Sequence, residues 1–409
     1  MTDIATNPFT VLFVDEEPHM QNALKRSFRH MRTAWDLRFA TSPDEAMQAL
    51  ARRPADVLVC AMQFSGRSGL DLLKDVRDHY PRCVRIILSG TVSREVLLRS
   101  ADIAHQYLTK PFEAEDLEGA IRGAFFVKKL IENSSLQKLI SRIGSLPCLP
   151  SIYSELTAEM NSEDASVHKI GNLIAKDPAL TAKLLKLANS SLFGRPQRIA
   201  DPVKAAGMLG LDMVRAIVLT ASILEDFKDL KSRHFSVEHL WEHAVVTASL
   251  CKAITQGQNF DNASPDVAFS AGLLHDIGKL LIAAHLPDSL AAIVQYMDRH
   301  QATITTAESH VLGTNHAAIG AYLLGLWGLP APIVAVVAFH HAPDEQSGDD
   351  LLSLAIVHVA DAFANSHCFL STDGEPREFL DRAFLDRAGV TACLEQWRSV
   401  CARRLEELR

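Results

Sequence analysis

The chain has 409 residues, 48% hydrophobic and 22% charged, with a formal net charge of -8 at pH 7. That composition supports a packed core spread over two or three domains and excludes disordered and collagen-like chains. The acidic balance, with no Lys/Arg block longer than two, leaves little for the counter-ion release that drives nucleic-acid binding.

From Val11 to about Phe126, short apolar runs alternate with amphipathic stretches. Val11–Val14, Val57–Cys60, Val84–Leu88 and His105–Leu108 read as strands, and Glu17–Arg29, Pro43–Ala51, Gly69–His79, Arg94–Ala101 and Ala114 onward read as helices. Strict alternation predicts an α/β unit, a parallel sheet covered on both faces, with function at the carboxyl ends of its strands. Those ends carry Asp15-Glu16-Glu17, Ala61, Ser89 and Thr109-Lys110-Pro111. Residues Ala114 to Arg142 form one amphipathic run, so the last helix is expected to continue as a connector that transmits orientation.

After Pro150 the helical period persists to the carboxyl end, broken by turns at Asn161–Asp164, Gly194–Pro196, Gly325–Pro330 and Ser347–Asp350. Asp177 with Pro178 starts one helix, and Asn189-Ser190 ends it. Leu394, Trp397, Val400, Cys401, Leu405 and Leu408 share a helical face expected to pack back on the bundle.

The opening Met1-Thr2-Asp3-Ile4 lacks the basic and then apolar start of a signal peptide. Apolar runs such as Ala331–Phe339 stop well short of the ~20 residues of a membrane span. A cytoplasmic protein with neither membrane nor nucleic acid as partner is expected. Seven scattered cysteines, never spaced C-x-x-C, suggest buried thiols.

Histidine is the unusual residue, 17 in all, most of them between His234 and His367. Gly272-Leu-Leu-His275-Asp276-Ile-Gly-Lys279 sets an imidazole beside a carboxylate after an apolar helical run. Burying both is costly unless something binds them, and a divalent metal would do so.

Two resemblances follow from these motifs. Val-Asp15-Glu16-Glu-Pro, Leu-Ser89-Gly and Leu-Thr-Lys110-Pro-Phe resemble the receiver domain of bacterial response regulators, in order and spacing over the first ~125 residues. The resemblance implies a flavodoxin-like doubly wound five-stranded sheet. It also implies an acidic pair for Mg²⁺, a third-strand Asp that takes a phosphoryl group, Ser89 and Lys110 on the phosphoryl oxygens, and Tyr107 as a switch aromatic. Ala61 stands where that Asp belongs. A methyl group is neither a nucleophile nor a ligand, so Ala61 cannot be phosphorylated, and Asp15 and Glu16 are left with weak Mg²⁺ binding at most. Asp56 is no substitute, lying about 16 Å back along the strand on its other face. The adjacent Gln63-Phe64-Ser65-Gly66 also departs from the family's Met-Pro-Gly, as drift would produce; an alanine introduced at position 61 to block phosphorylation is the alternative. A pseudo-receiver acting as a protein-binding module is expected, with a homodimer through the receiver as one use.

Leu146-Pro-x-Leu-Pro150, Ile174–Leu180, Leu184–Ser190 and Met208–Leu211 resemble the HDOD domain, an all-helical signalling module related to HD phosphohydrolases. By that resemblance His243, His275, Asp276 and Asp361 match one metal site, and His316, His340 and His341 the second site of binuclear enzymes. Lys279 would be the catalytic residue on a phosphate oxygen, and iron, manganese or zinc the cofactor. Glu308 is either a supporting carboxylate or a surface acid, and His239 a partly exposed helix histidine. No Gly-Tyr-Pro follows His341, and the acidic loop there disfavours cyclic di-GMP.

The expected layout is a receiver-like domain over 1–126, a connector over 127–145, an HDOD domain over 146–365 with its HD-like part at about 236–365, and C-terminal helices over 366–409. The expected function is that of a bacterial signalling regulator whose partners are a sensor kinase, response regulator or second-messenger enzyme. A metal-dependent phosphohydrolase gated by the receiver is the alternative, and metal or nucleotide sensing a third.

Overall fold

The structure is a computed structural model that describes residues 9–81, 83–89, 103–110, 112, 114–131, 136, 139, 150–162, 164–189, 199–256, 265–346, 351–368 and 380–407. The predicted helix Arg94–Ala101, most of the predicted connector and the turns at Gly194–Pro196 and Ser347–Asp350 lie outside them. The chain divides into two compact units. One comprises Met1–Glu132 with Pro147–Ser154 and Leu324–Ala331, the other Asn133–Leu146, Glu155–Leu323 and Pro332–Arg409.

The first unit is built on a five-stranded sheet: β1 (Phe9–Val14), β2 (Trp35–Ala40), β3 (Val57–Ala61), β4 (Val84–Ser89) and β5 (Gln106–Thr109). The order is β2-β1-β3-β4-β5 with every pairing parallel. Helices α1 (Pro18–Ser27), α2 (Pro43–Arg52) and α3 (Gly69–His79) follow β1, β2 and β3, and α4 (Ala114–Ile131) follows β5. β1, β3 and β4 are buried along their whole length, so their sequences are largely apolar runs, interrupted by Thr10 in β1 and by Arg85 and Ser89 in β4. β2 has no such run. It is an edge strand in which Asp36 and Arg38 pair at 2.8 Å, and Arg53 reaches the same carboxylate at 3.1 Å. Serines cap two helices, Ser42 accepting from the Glu45 N–H and Ser68 from that of Leu70. Strand order reverses between β1 and β3, which places Asp15 and Ala61 at the switch point where ligands of such sheets gather.

From Ser151 the described chain is helical: α5 (Ser151–Met160), α6 (Val167–Ile174), α7 (Pro178–Ala188), α8 (Pro202–Leu209), α9 (Leu211–Asp226), α10 (Val237–Gln256), α11 (Pro265–Leu274), α12 (Ile277–His285), α13 (Pro287–His300), α14 (Ile304–Leu312), α15 (His316–Leu326), α16 (Ala331–Phe339), α17 (Leu351–Cys368), α18 (Arg382–Arg387) and α19 (Leu394–Glu407). Asp177 caps α7 as expected, accepting from the Ala179 and Leu180 N–H groups, and Asn189 closes it. α10 is the central helix of the second unit, packed by α11, α17 and α19. α19 contributes Trp397 and Cys401, both fully buried.

Two glycines set how closely the key helices approach. A Cβ at Gly272 of α11 would lie 2.9 Å from the Cys251 sulfur and 3.2 Å from the Ala248 Cα of α10. A Cβ at Gly278 of α12 would lie 2.0 Å from the His316 carbonyl oxygen and 2.8 Å from the Gly320 nitrogen of α15. One stretch is longer than the apolar runs singled out in the sequence. Pro265–His285 is long and apolar enough by length and composition to cross a membrane, yet 83% of that window is buried inside the fold. The break between α11 and α12 falls on His275-Asp276.

Candidate metal centre

α10 supplies His243, the α11–α12 break His275 and Asp276, the start of α15 His316, the turn after α16 His340 and His341, and α17 Asp361. All seven come together. His243 Nε2 lies 3.1 Å from His275 Nε2 and 3.0 Å from Asp361 Oδ1, and Asp276 Oδ2 lies 3.5 and 3.4 Å from the same two imidazoles. Across the other oxygen of Asp276, His316 Nε2 is at 3.1 Å and His340 Nε2 at 3.9 Å, and His341 Nε2 is 3.1 Å from His316 Nε2. Ligand atoms about 2.1 Å from one cation stand roughly 3.0–3.4 Å apart in octahedral or tetrahedral geometry. The cluster thus has two lobes that share Asp276. The ligand atoms of Asp276, His316, His340 and His341 lie within 4.8 Å of one another, as do those of His243, His275 and Asp276, and His340 also groups with His275 and Asp361, so it stands between the lobes.

The chemistry of the donor set fits a cation. His275 Nδ1 donates to the Gly272 carbonyl, His340 Nδ1 to that of Val337, and His316 Nδ1 to Glu308, at 2.8, 2.8 and 2.7 Å. Each bond fixes the ring and leaves Nε2 as a lone pair facing inward, the arrangement that supporting groups impose on metal-binding histidines. Facing lone pairs 3.1 Å apart repel unless a proton or metal lies between them. His340 Nε2 is buried and has no hydrogen-bond partner among the described residues, and buried Asp276 Oδ1 has His316 Nε2 facing it at 3.1 Å.

Electrostatics run the same way. Burial pulls His275 down, but Asp276 and Asp361 outweigh it and push the imidazole up to about 10. Burial works against Asp276 and Asp361 too, yet the surrounding imidazoles, with Lys279 for Asp276, hold both carboxyls well below the usual range. Burial and the neighbouring His316 bring His341 down to about 3. Lys279 Nζ sits 2.5 Å from Asp276 Oδ2.

Glu308 is a supporting carboxylate rather than a surface acid. It is 2% exposed and accepts from both the backbone N–H and Nδ1 of His316. Asn365, one turn after Asp361, donates to Asp361 Oδ1 at 2.9 Å; sequence reading passed over it, and its i+4 spacing on α17 is the signal that could have found it. His239 is exposed and outside the cluster.

In the first unit, Asp15 is buried with Oδ2 paired to Lys110 at 2.9 Å and Oδ1 accepting from the Glu17 N–H. Glu16 turns away and accepts from the Ser65 N–H at 2.8 Å. Ala61 ends β3 and Ser89 ends β4, both buried. Tyr107 lies on β5 opposite Ile87; its side chain is outside the described residues.

A family profile described as the HDOD domain matches residues 146–343, and one described as the response regulator receiver domain matches residues 11–122. An uncharacterized protein of Treponema pallidum is 30% identical over 256 residues, which are 60% of this chain and 47% of that protein. Hydrogenase transcriptional regulatory protein HoxA of Cupriavidus necator is 34% identical over 117 residues, 28% of this chain and 24% of that protein. The chain therefore spans about half of the first relative and a quarter of the second. A solved HDOD domain protein with unknown function from Geobacter sulfurreducens matches at 25% identity and a TM-score of 0.50, over 66% of this chain and 97% of that one.

Proposed function

This chain joins a response regulator receiver domain to an HDOD domain, and from that premise we propose a signal-transduction regulator whose receiver takes no phosphoryl group and whose helical domain is a cation-holding regulatory output. Its partners on this reading are signalling proteins such as kinases. The layout that suits it is a receiver over 1–126, a connector over 127–145, an output over 146–365 and supporting helices over 366–409.

The observation that carries the output reading is the inward convergence of imidazole nitrogens on a shared carboxylate, with His340 Nε2 buried and without a hydrogen-bond partner among the described residues. His243, His275, Asp276 and Asp361 would hold one divalent cation, and Asp276, His316, His340 and His341 a second, with iron, manganese or zinc matched to the nitrogen-rich donor set. Such cations would supply Lewis acidity and an activated water. The test is elemental analysis of anaerobically purified protein beside a His275→Ala/Asp276→Ala variant, with folding followed by circular dichroism. Near-stoichiometric metal that disappears in a folded variant is expected; a well-folded wild type without metal would sink the reading.

The receiver reading rests on Ala61 and on the Lys110–Asp15 pair that occupies the acidic pocket. After acetyl phosphate treatment, intact mass is expected to show no added phosphoryl group. Ala61→Asp, which restores a nucleophile at the end of β3, is expected to gain one. Stoichiometric phosphorylation of the wild type would overturn the pseudo-receiver.

One observation favours a second reading, a phosphohydrolase. Lys279 stands beside the shared carboxylate, with a cationic head that could meet a phosphate oxygen. Metal-loaded protein in a nucleotide and phosphoester screen separates this reading from a purely regulatory centre.

A further inference from the structure

His358 belongs to none of the roles described so far. It lies on α17 three residues before Asp361, buried, with both ring nitrogens engaged. Nδ1 donates to the carbonyl of His340 at 2.8 Å, and Nε2 accepts from the N–H of Asp381 at 3.0 Å. Asp381 is the N-cap of α18, its carboxylate accepting from the Phe384 N–H at 2.9 Å. Phe384 is fully buried and meets the His358 ring edge-on with centroids 6.2 Å apart. From the far end of α18, Arg387 donates to the carbonyl of Pro343 at 3.0 Å and stacks over Phe384.

The segment 381–387 therefore grips the backbone on both sides of the paired-histidine turn, at His340 through His358 and at Pro343 through Arg387. On its other side that turn has the bond from His340 Nδ1 to Val337. A ring 1 Å out of place loses most of a coordinate bond, and supporting groups of this kind are worth about 10–100-fold in metal affinity.

We propose that His358 is a positioning residue that ties the 381–387 segment to the His340–His341 turn, so that docking of this segment controls cation binding in the lobe formed by Asp276, His316, His340 and His341. The inference rests on the cation-holding reading above. It assigns the C-terminal segment a control function that acts most strongly on this lobe, which holds both His340 and His341, and less on the lobe of His243, His275 and Asp361, which only His340 borders.

The test titrates full-length protein with Co²⁺, followed by its d–d absorption, in wild type, His358→Phe and His358→Gln. Hydrogen exchange over residues 339–346 is measured without metal. Phenylalanine keeps the volume and loses both hydrogen bonds; the glutamine amide can donate to His340 and accept from Asp381. The expected result is two equivalents in wild type, one of them weakened about 10–100-fold in His358→Phe and restored in His358→Gln. Equal weakening of both equivalents, or no rescue by glutamine, overturns the proposal. If the wild type takes up no Co²⁺, the cation reading falls and exchange alone decides the tie. Unchanged protection in His358→Phe then overturns it, and lost protection that glutamine restores supports it.

Discussion

Replacing Gly278 by alanine is expected to destabilise the helical unit by about 3 kcal/mol and to abolish cation uptake. The added Cβ would stand 2.0 Å from the His316 carbonyl oxygen and 2.8 Å from the Gly320 nitrogen, both backbone atoms that no rotamer change can move aside. α12 must then lift from α15, and His316 with it from Asp276, where their ligand atoms now stand 3.1 Å apart. For a unit of this size the loss corresponds to a fall of roughly 6–12 °C in the melting midpoint. Calorimetry beside Gly119→Ala makes the comparison, because a Cβ at Gly119 meets nothing within 4 Å and that exchange in a helix is neutral or stabilising. Equal melting of the two variants would show that the helices do not approach as described.

Cation affinity of the lobe that holds His275 is expected to rise about tenfold for each pH unit between pH 6.5 and 8, with about one proton released there. The sign comes from His275. Asp276 and Asp361 push its imidazole up to about 10 against the opposing pull of burial, and Nδ1 already donates to Gly272, so the extra proton sits on Nε2. A cation needs that atom bare and must expel the proton. In the cation-free protein, a folded-state value raised above the unfolded one of about 6.5 contributes stability fully below that pH. The contribution fades as pH climbs through about 10. Raising the pH thus weakens the proton's hold as it strengthens the metal's. Calorimetric titration with Mn²⁺ in buffers of different ionisation enthalpy reads both quantities; an affinity flat with pH and free of proton release would contradict the assignment.

Sequence patterns reveal what is local and lose what depends on distant partners. β1, β3 and β4 are buried on both faces and so read as apolar runs, and Asp177-Pro178 marks a helix start through bonds two and three residues away. β2 escapes as a run because its edge position admits Asp36 and Arg38. In the second unit the seven candidate ligands were nameable because family spacing singles them out. Their supports were less so: Glu308 was nameable only as a supporting carboxylate or a surface acid, because its role depends on a helix start eight residues on, and the role of His358 depends on a chain segment 23 residues away. Gly278 was visible inside its motif, but its purpose lies with Gly320, which only the packing of α12 on α15 brings near.

His243 and Asp361 meet at 3.0 Å although 118 residues separate them in the chain. At a synthesis rate of about 5–20 residues per second, roughly 6 to 24 seconds pass between the making of the first and of the second. Until the second is made, Asp276 is the one carboxylate of the cluster that the emerging polypeptide holds, and the helix that carries Asp361 and Asn365 has yet to follow. On the cation-holding reading, the lobe of His243 and Asp361 closes only after α17 has been made, whereas every ligand of the other lobe is in the chain by His341. Of the two, the lobe that needs Asp361 is therefore the later to form.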